Sequence, residues 1–193
     1  MYDYHTILGA LALIVGVAGY IPYIRDTLKG TTKPHPFTYF IQALVGSISF
    51  AAQIAKDAGP GAWAMGIPVV LGIITAGLSL TKGERSITRR DWYCLIAALV
   101  AIGMWRLTSD PLYAVLIVMV VNTFAFVPTF RKAYWKPHEE TALSYALGVL
   151  RSTISIPALL AFNAVTLLPL VYHIVSNVAL VAMLLVRRKN LRR

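Results

Sequence analysis

The chain has 193 residues, of which 58% are hydrophobic and 13% are charged, and its mean hydropathy is +0.67. Soluble domains carry about 25% charged residues, and disordered chains combine low hydrophobicity with high charge, so both classes are excluded. Cys94 is the only cysteine, which excludes a disulfide scaffold. The composition indicates an integral membrane protein, in which basic cytoplasmic loops explain a net charge of +10 better than nucleic-acid binding does.

Seven apolar segments are candidate membrane spans, since a helix needs about 20 apolar residues to cross the hydrocarbon. They are Thr6–Ile24, Phe37–Ala55, Gly61–Thr81, Trp92–Trp105, Leu112–Phe130, Ala142–Phe162 and Ala164–Val186. The first is expected to be a retained helix, because the residues before it include no Lys or Arg, unlike a signal peptide. The fourth is short, and an interfacial helix is the alternative there. Its terminal tryptophans suit the interface, and Arg106 can extend outward.

The basic residues favour one orientation of these spans. With seven spans, the loops after the first, third and fifth share one face with the C-terminal tail. That face holds Arg25, Lys29, Lys33, Lys82, Arg85, Arg89, Arg90, Arg131, Lys132, Lys136, Arg187, Arg188, Lys189, Arg192 and Arg193. The opposite face has Lys56 and Arg106, and Arg151 lies within a span. Because basic loops remain cytoplasmic, we expect a plasma (inner) membrane protein with its N-terminus outside and its C-terminus in the cytoplasm.

The sequence also contains an internal repeat with an offset of 106 positions. Gly19–Arg25 aligns with Ala125–Arg131, Pro36–Ile41 with Ala142–Leu147, and Ile48–Ser49 with Ile154–Ser155. Self-similarity at a fixed offset is typical of duplicated units. We therefore predict an all-α membrane protein with two parallel three-helix bundles, residues 1–82 and 111–193, joined by a linker at 83–110 that contains the fourth span. Transporters built from such repeats bind their solute between them near the midplane.

These features resemble the SWEET and PQ-loop family of small-solute transporters over nearly the whole chain. Each repeat has a proline near the cytoplasmic end of its first helix, Pro22 or Pro128, followed by a basic loop and a second helix with Ser or Thr. Residues 172–178 look like the family's last helix, whose asparagine contacts the solute. The resemblance therefore implies alternating access, a sugar-like solute and a binding role for Asn177.

The chain also departs from the family pattern. Tyr23 and Thr129 follow the two prolines, where the PQ motif has glutamine, and Leu71 is the first-repeat equivalent of Asn177. The second helices carry Phe50 and Ile156 where sugar transporters of the family place tryptophan. Vitamin transporters of the PnuC type share a related layout and remain an alternative.

Polar residues within the spans are the candidates for solute binding. Arg151 is the most costly to bury, and it indicates a pocket cation, with a clamp on backbone carbonyls or extension to the cytoplasmic side as alternatives. His173 and Asn177 share one helix face, and Asn122 lies within the fifth span. For these three the alternative is hydrogen bonding between helices. Ser155, near Arg151, binds solute or its own helix's carbonyl.

Comparison of the repeats predicts an asymmetric pocket. Arg151, His173, Asn177 and Asn122 align with Val45, Ile67, Leu71 and Gly16. We therefore expect hydrogen bonding from the second repeat and packing from the first, where Gly46, Ser49 and Phe50 are the candidates.

Four residues are candidates for gating. Pro22 and Pro128 are expected to interrupt their helices and act as hinges, or to produce static bends. Tyr23 and Tyr39 are expected to close the cytoplasmic side, or to anchor the helices at the interface.

These observations favour a transporter over an enzyme. No carboxylate lies within an apolar run, which disfavours a carboxylate proton relay and favours passive movement of a small polar solute, sugar-like or anionic. The four histidines are far apart in sequence, so no metal site or cofactor is expected. A non-transporting membrane receptor or assembly partner is the other alternative. The lipid bilayer and a solute are the expected partners, and the sequence leaves open whether the chain forms a homo-oligomer.

Overall fold

The computed structural model describes residues 3–54, 56–105 and 111–191, and within these ranges it contains helices and no strand. The helices are α1 (Tyr4–Leu28), α2 (Pro36–Ile54), α3 (Trp63–Lys82), α4 (Arg89–Trp105), α5 (Pro111–Trp135), α6 (Ala142–Ser155) and α7 (Ala164–Asn190), with short 3-10 helices at Gly59–Ala62 and Pro137–Glu139. The prediction of an all-α chain is confirmed. Arg106, Arg192, Arg193 and the span end at Ala55 lie outside the described residues.

Three described helices are long and apolar enough to cross a membrane, namely Tyr4–Leu28, Val115–Trp135 and Ala164–Asn190. Pro36–Ala51 and Pro68–Lys82 are shorter apolar helices. The expectation of membrane-spanning helices is therefore met by three segments, and the layout with seven spans stays a prediction.

Pro22 and Pro128 lie inside helices that continue past them. Helix α1 extends to Leu28 and α5 to Trp135, so neither proline ends its helix, and their roles as hinges or as static bends stay predictions. A proline in a helix removes one hydrogen bond without necessarily ending it. The sixth predicted span, in contrast, ends as a helix at Ser155 instead of Phe162. Pro157 follows closely, and the chain turns there with a hydrogen bond from the Ala158 amide to the Ser155 carbonyl, 3.2 Å.

The chain re-enters a helix at Asn163, which caps α7. The Asn163 side-chain oxygen accepts a hydrogen bond from the Thr166 amide, and the Thr166 hydroxyl accepts one from the Asn163 amide, both at 3.2 Å. This reciprocal capping box satisfies two backbone N–H donors at the start of the helix. It fixes where α7, the helix with His173 and Asn177, begins.

The helices pack in matching pairs. α3 lies against α1 and α2, and α7 lies against α5 and α6. Between the halves, α1 packs along α6 and α2 along α5, while α4 lies against α5. Under the offset of 106, α1 corresponds to α5 and α2 to α6, so each contact between the halves has a counterpart with the halves exchanged.

Small residues let α1 approach its neighbours. Its buried face includes Gly9, Ala12, Gly16 and Gly19, spaced three or four residues apart. A Cβ atom added at Gly19 would lie 3.1 Å from the Cβ of Leu147 on α6. Close backbone approach over small residues is a main source of helix association in membranes, where the hydrophobic effect between helices is weak. The contact between the halves therefore depends on these positions.

We expect Gly9→Ala to destabilise the protein. The added methyl group would lie 2.6 Å from the Cβ and 2.7 Å from the carbonyl oxygen of Pro60, so the 3-10 helix or α1 must shift. Overpacking of this kind costs about 1–3 kcal/mol. Gly77→Ala is the matched control, because its methyl group would meet open space. Thermal unfolding of both purified variants in detergent checks this, and equal unfolding midpoints would contradict it.

Candidate functional site

A cavity of about 120 Å³ lies among six of the helices, α1–α3 and α5–α7. Both halves of the chain line it. Eight of the residues selected from the sequence face it: Tyr23, Tyr39, Gly46, Ser49, Asn122, Arg151, His173 and Asn177. Residues from different ends of the sequence thus meet at one place, and we call it the central cavity.

Four other selected residues are not among the described residues that line the central cavity. The Phe50 ring packs near Gly66 and against a cluster with Met65 and Leu159. The Ser155 hydroxyl donates a hydrogen bond to the Arg151 carbonyl at 2.9 Å, the alternative considered for it. Pro22 and Pro128 are also absent from the lining.

The first half contributes more polar groups than the sequence analysis expected. Tyr20 and Gln42 line the central cavity together with the expected Gly46 and Ser49, so the side expected to contribute packing is only partly apolar. Gln42 was missed, although an amide within an apolar helix is the signal that selected Asn122. Its repeat equivalent is Gly148, which also lines the cavity. The polar lining therefore comes from both halves, with the cationic part in the second.

Arg151 brings a positive charge into the cavity. The residue is 5% exposed, and its Nε atom has no hydrogen-bond partner. Within the described residues Arg151 forms no ion pair, and no carboxylate is among the residues that line the cavity. A buried charge without a partner is costly in any region of low dielectric. Among the described residues, no side chain compensates the charge of Arg151.

Asn177 is held by its own helix. Its Nδ2 atom donates to the His173 carbonyl at 2.8 Å, which differs from the bond between helices considered as its alternative. A Cβ atom added at Gly148 would lie 3.5 Å from this Nδ2, so the glycine of α6 leaves room for the amide. The bond fixes the amide and uses one of its donors. The same bond orients the Oδ1 atom of Asn177, which takes no part in it and keeps its capacity to accept a hydrogen bond.

A layer of tyrosines from both halves borders one end of the central cavity. The ring centroids of Tyr23 and Tyr39 are 5.4 Å apart, and those of Tyr23 and Tyr145 are 6.1 Å apart. Tyr145 is the repeat equivalent of Tyr39. Its hydroxyl donates to Glu140 Oε2 at 2.8 Å. All three rings are nearly buried, so this tyrosine layer separates the cavity from the polar loops beyond it.

Those loops form a network of ion pairs, which we call the polar end. Lys33 pairs with Glu139 at 2.8 Å, Lys136 with Glu84 at 2.9 Å and Arg131 with Asp91 at 2.7 Å, and Lys132 pairs with Glu140. The Lys132 ammonium also donates to the Lys33 carbonyl. The loops after α1, α3 and α5 are thus joined to one another.

Local contacts keep Glu84 ionised within this network. Its burial opposes ionisation, but hydrogen bonds from the Ser86 amide and the Lys136 ammonium outweigh that effect and lower the pKa of Glu84 to about 2. The sequence analysis assigned these acids no role. The available signal was that Asp26, Glu84, Asp91, Glu139 and Glu140 all lie on the basic face.

Comparisons with known proteins identify no relative: no family model, no curated protein and no solved structure matches the chain. Within the described residues no group of three His, Cys, Asp or Glu side chains is arranged to hold a metal ion. The central cavity and the polar end are therefore the features from which a function has to be inferred.

We expect Lys132→Met to be strongly destabilising. Lys132 and Glu140 are almost completely buried, so the substitution leaves a buried carboxylate without its cation. Breaking a buried pair in this way costs about 3–5 kcal/mol. Lys33→Met is the matched control, because Lys33 is 41% exposed and exposed pairs contribute about 0–1 kcal/mol. Unfolding of both variants in detergent measures the loss of stability. Similar losses in the two variants would contradict the larger contribution expected of the buried pair.

Proposed function

We propose that the chain is a membrane transporter that moves a small polar solute passively by alternating access. The observation that carries the proposal is the central cavity, which is lined by polar groups of both halves and bordered at one end by the tyrosine layer. Solute sites are concave, with a few polar groups that fix orientation. An uncompensated cation in such a place is costly and is a functional hypothesis by default.

The proposed architecture has seven spans, as two three-helix bundles at 1–82 and 111–193 and a linker at 83–110. The matching contacts of α1 with α6 and of α2 with α5 support a duplication. Large apolar side chains exposed along the helices support a lipid surround, among them Ile14, Ile73, Val100, Leu150 and Val175. The SWEET-like and PQ-loop resemblance agrees with this architecture, but it alone is the basis for a sugar as solute.

The polar end supplies a gate in this proposal. The tyrosine layer and the ion pair of Lys33 with Glu139 join the two halves on the side where the basic loops lie. When the halves separate there, these contacts break and the central cavity opens to that side. Pro22 and Pro128 each remove one backbone bond close to the tyrosine layer, so α1 and α5 can bend there at lower cost.

The receptor alternative predicts polar groups that are satisfied within the protein and no cavity. The unpartnered Nε of Arg151 and the cavity itself favour transport over this alternative. The PnuC-type alternative needs aromatic rings that stack on a flat vitamin. Tyrosines do line the cavity, so nucleosides belong in the solute panel.

We expect Asn177→Ala to lower uptake into proteoliposomes by about five- to tenfold at low solute concentration, since a lost hydrogen bond costs about 1 kcal/mol. Initial rates for a panel of sugars, nucleosides and organic anions measure the effect. Leu71→Ala is the matched control, because it changes the equivalent position of the first half and lies outside the cavity lining. Movement of no solute by the unaltered protein would contradict transport. Equal loss in both variants would contradict the role of Asn177.

The seven-span layout is tested by cysteine labelling in a Cys94→Ser background. An impermeant maleimide on intact cells should label Asp3→Cys, and it should label Arg85→Cys only after permeabilisation. Three spans separate these positions in the proposed layout, so they must lie on opposite sides. Labelling of both, or of neither, in intact cells would contradict the layout. Arg85 is exposed in a loop, so its replacement leaves the packing unchanged.

A further inference from the structure

The proposed function leaves the class of solute open. The charge and the size of the central cavity narrow it further. We propose that the solute is a small organic monoanion, a short hydroxycarboxylate, with its carboxylate bound by Arg151. This inference rests on the proposed function, because it names the class of solute for the same cavity.

The charge of the cavity is the first argument. Arg151 is 5% exposed and faces the cavity, its Nε is unpartnered, and no carboxylate is among the described lining residues. Glu140, which contacts the tyrosine layer through Tyr145, is already paired with Lys132. A neutral solute would therefore leave the guanidinium uncompensated in a region of low dielectric. A carboxylate would neutralise it and accept paired hydrogen bonds from the planar guanidinium.

The repeat equivalent of Arg151 limits the number of negative charges. Val45 occupies that position and packs in an apolar cluster with Ile41 and Val121. The first half therefore offers no second cation at the matching place. A dicarboxylate would leave one charge unpaired, so the single guanidinium favours a monoanion.

The dimensions of the cavity limit the size of the solute. An engineered protein cavity of about 150 Å³ admits benzene. On that scale a cavity of about 120 Å³ holds a solute of roughly five non-hydrogen atoms. A short hydroxycarboxylate is close to this size, whereas a hexose has more than twice as many atoms and would need the cavity to expand.

The remaining polar groups fit a hydroxyl beside the carboxylate. Asn177 keeps its Oδ1 acceptor because its Nδ2 donates to the His173 carbonyl at 2.8 Å. Asn122 on α5 and Gln42 on α2 face the same cavity with both donors and acceptors. A hydroxyl both donates and accepts, so these amides can bind it while Arg151 binds the anion.

The test compares lactate with glycerol, a neutral molecule of similar size, and with the dianion malate. Isothermal titration of the purified full chain in detergent, in a buffer low in chloride and phosphate, should detect lactate binding and much weaker binding of the other two. Arg151→Gln should weaken lactate binding by roughly ten- to hundredfold, the usual effect of losing a charged hydrogen bond. Arg151→Lys should retain part of the affinity. Arg85→Gln, which removes the same charge from an exposed loop, should bind as the unaltered protein does.

Proteoliposomes separate this inference from the proposed function. Lactate entry should increase when the vesicle interior is made electrically positive, whereas entry of a neutral solute should not respond. If glucose or glycerol moves and lactate does not, the anion inference is wrong and transport stands. If lactate binds and no solute of any class moves, transport is wrong and the anion site stands. The inference is also wrong if Arg151→Gln binds lactate as tightly as the unaltered protein does. If that variant does not fold, the inference is overturned when the unaltered protein binds lactate and glycerol equally well.

Discussion

A guanidinium inside an apolar helical bundle is the constraint around which this structure is organised. Arg151 needs neighbours that tolerate its charge, and the residues around it are neutral: amides, tyrosines, a histidine and glycines. The glycines at 16, 46 and 148 leave space, and the amides supply dipoles that face the same cavity. The surrounding helices thereby form a cavity where a close-packed interior would otherwise be expected. A bound solute of opposite charge, as proposed above, would account for both the buried charge and the cavity.

The two ends of the bundle use polar residues in different ways. In the central cavity, polar groups are left partly unused, so they are available to a solute. At the polar end, each acidic residue described above has a basic partner. These ion pairs hold the three loops together. A transporter needs both kinds of region, since a site must bind and release while a gate must hold and then open. The tyrosine layer lies between them and adds no charge.

Much of the fold follows from hydropathy, because seven apolar runs correspond to the seven described α-helices. The boundaries were less predictable where proline is involved. Helix α6 ends before Pro157, whereas α1 and α5 continue through Pro22 and Pro128. The sequence did identify Arg151, Asn122, His173 and Asn177, because a polar side chain within an apolar run is costly to bury and therefore marks a candidate site.

Other parts of the site could not be predicted from local sequence. Ser155 and Phe50 were selected by proximity and repeat position, but helical geometry directs the Ser155 hydroxyl to the carbonyl one turn earlier, and Phe50 packs elsewhere. The pairing of Lys132 with Glu140 and of Lys136 with Glu84 requires knowledge of how three separate loops approach one another. A single sequence gives the charges of these loops but not their partners.

The ion pairs at the polar end have a consequence for how the two halves relate. Lys33 and Glu139 occupy equivalent positions of the repeat and bind each other. Asp26 and Lys132 are likewise equivalent and opposite in sign. Two copies of the first half, facing each other, would juxtapose lysine with lysine, and two copies of the second would juxtapose glutamate with glutamate. The two halves are thus complementary at these positions and not interchangeable, because an assembly of two copies of either half would lose the Lys33–Glu139 pair.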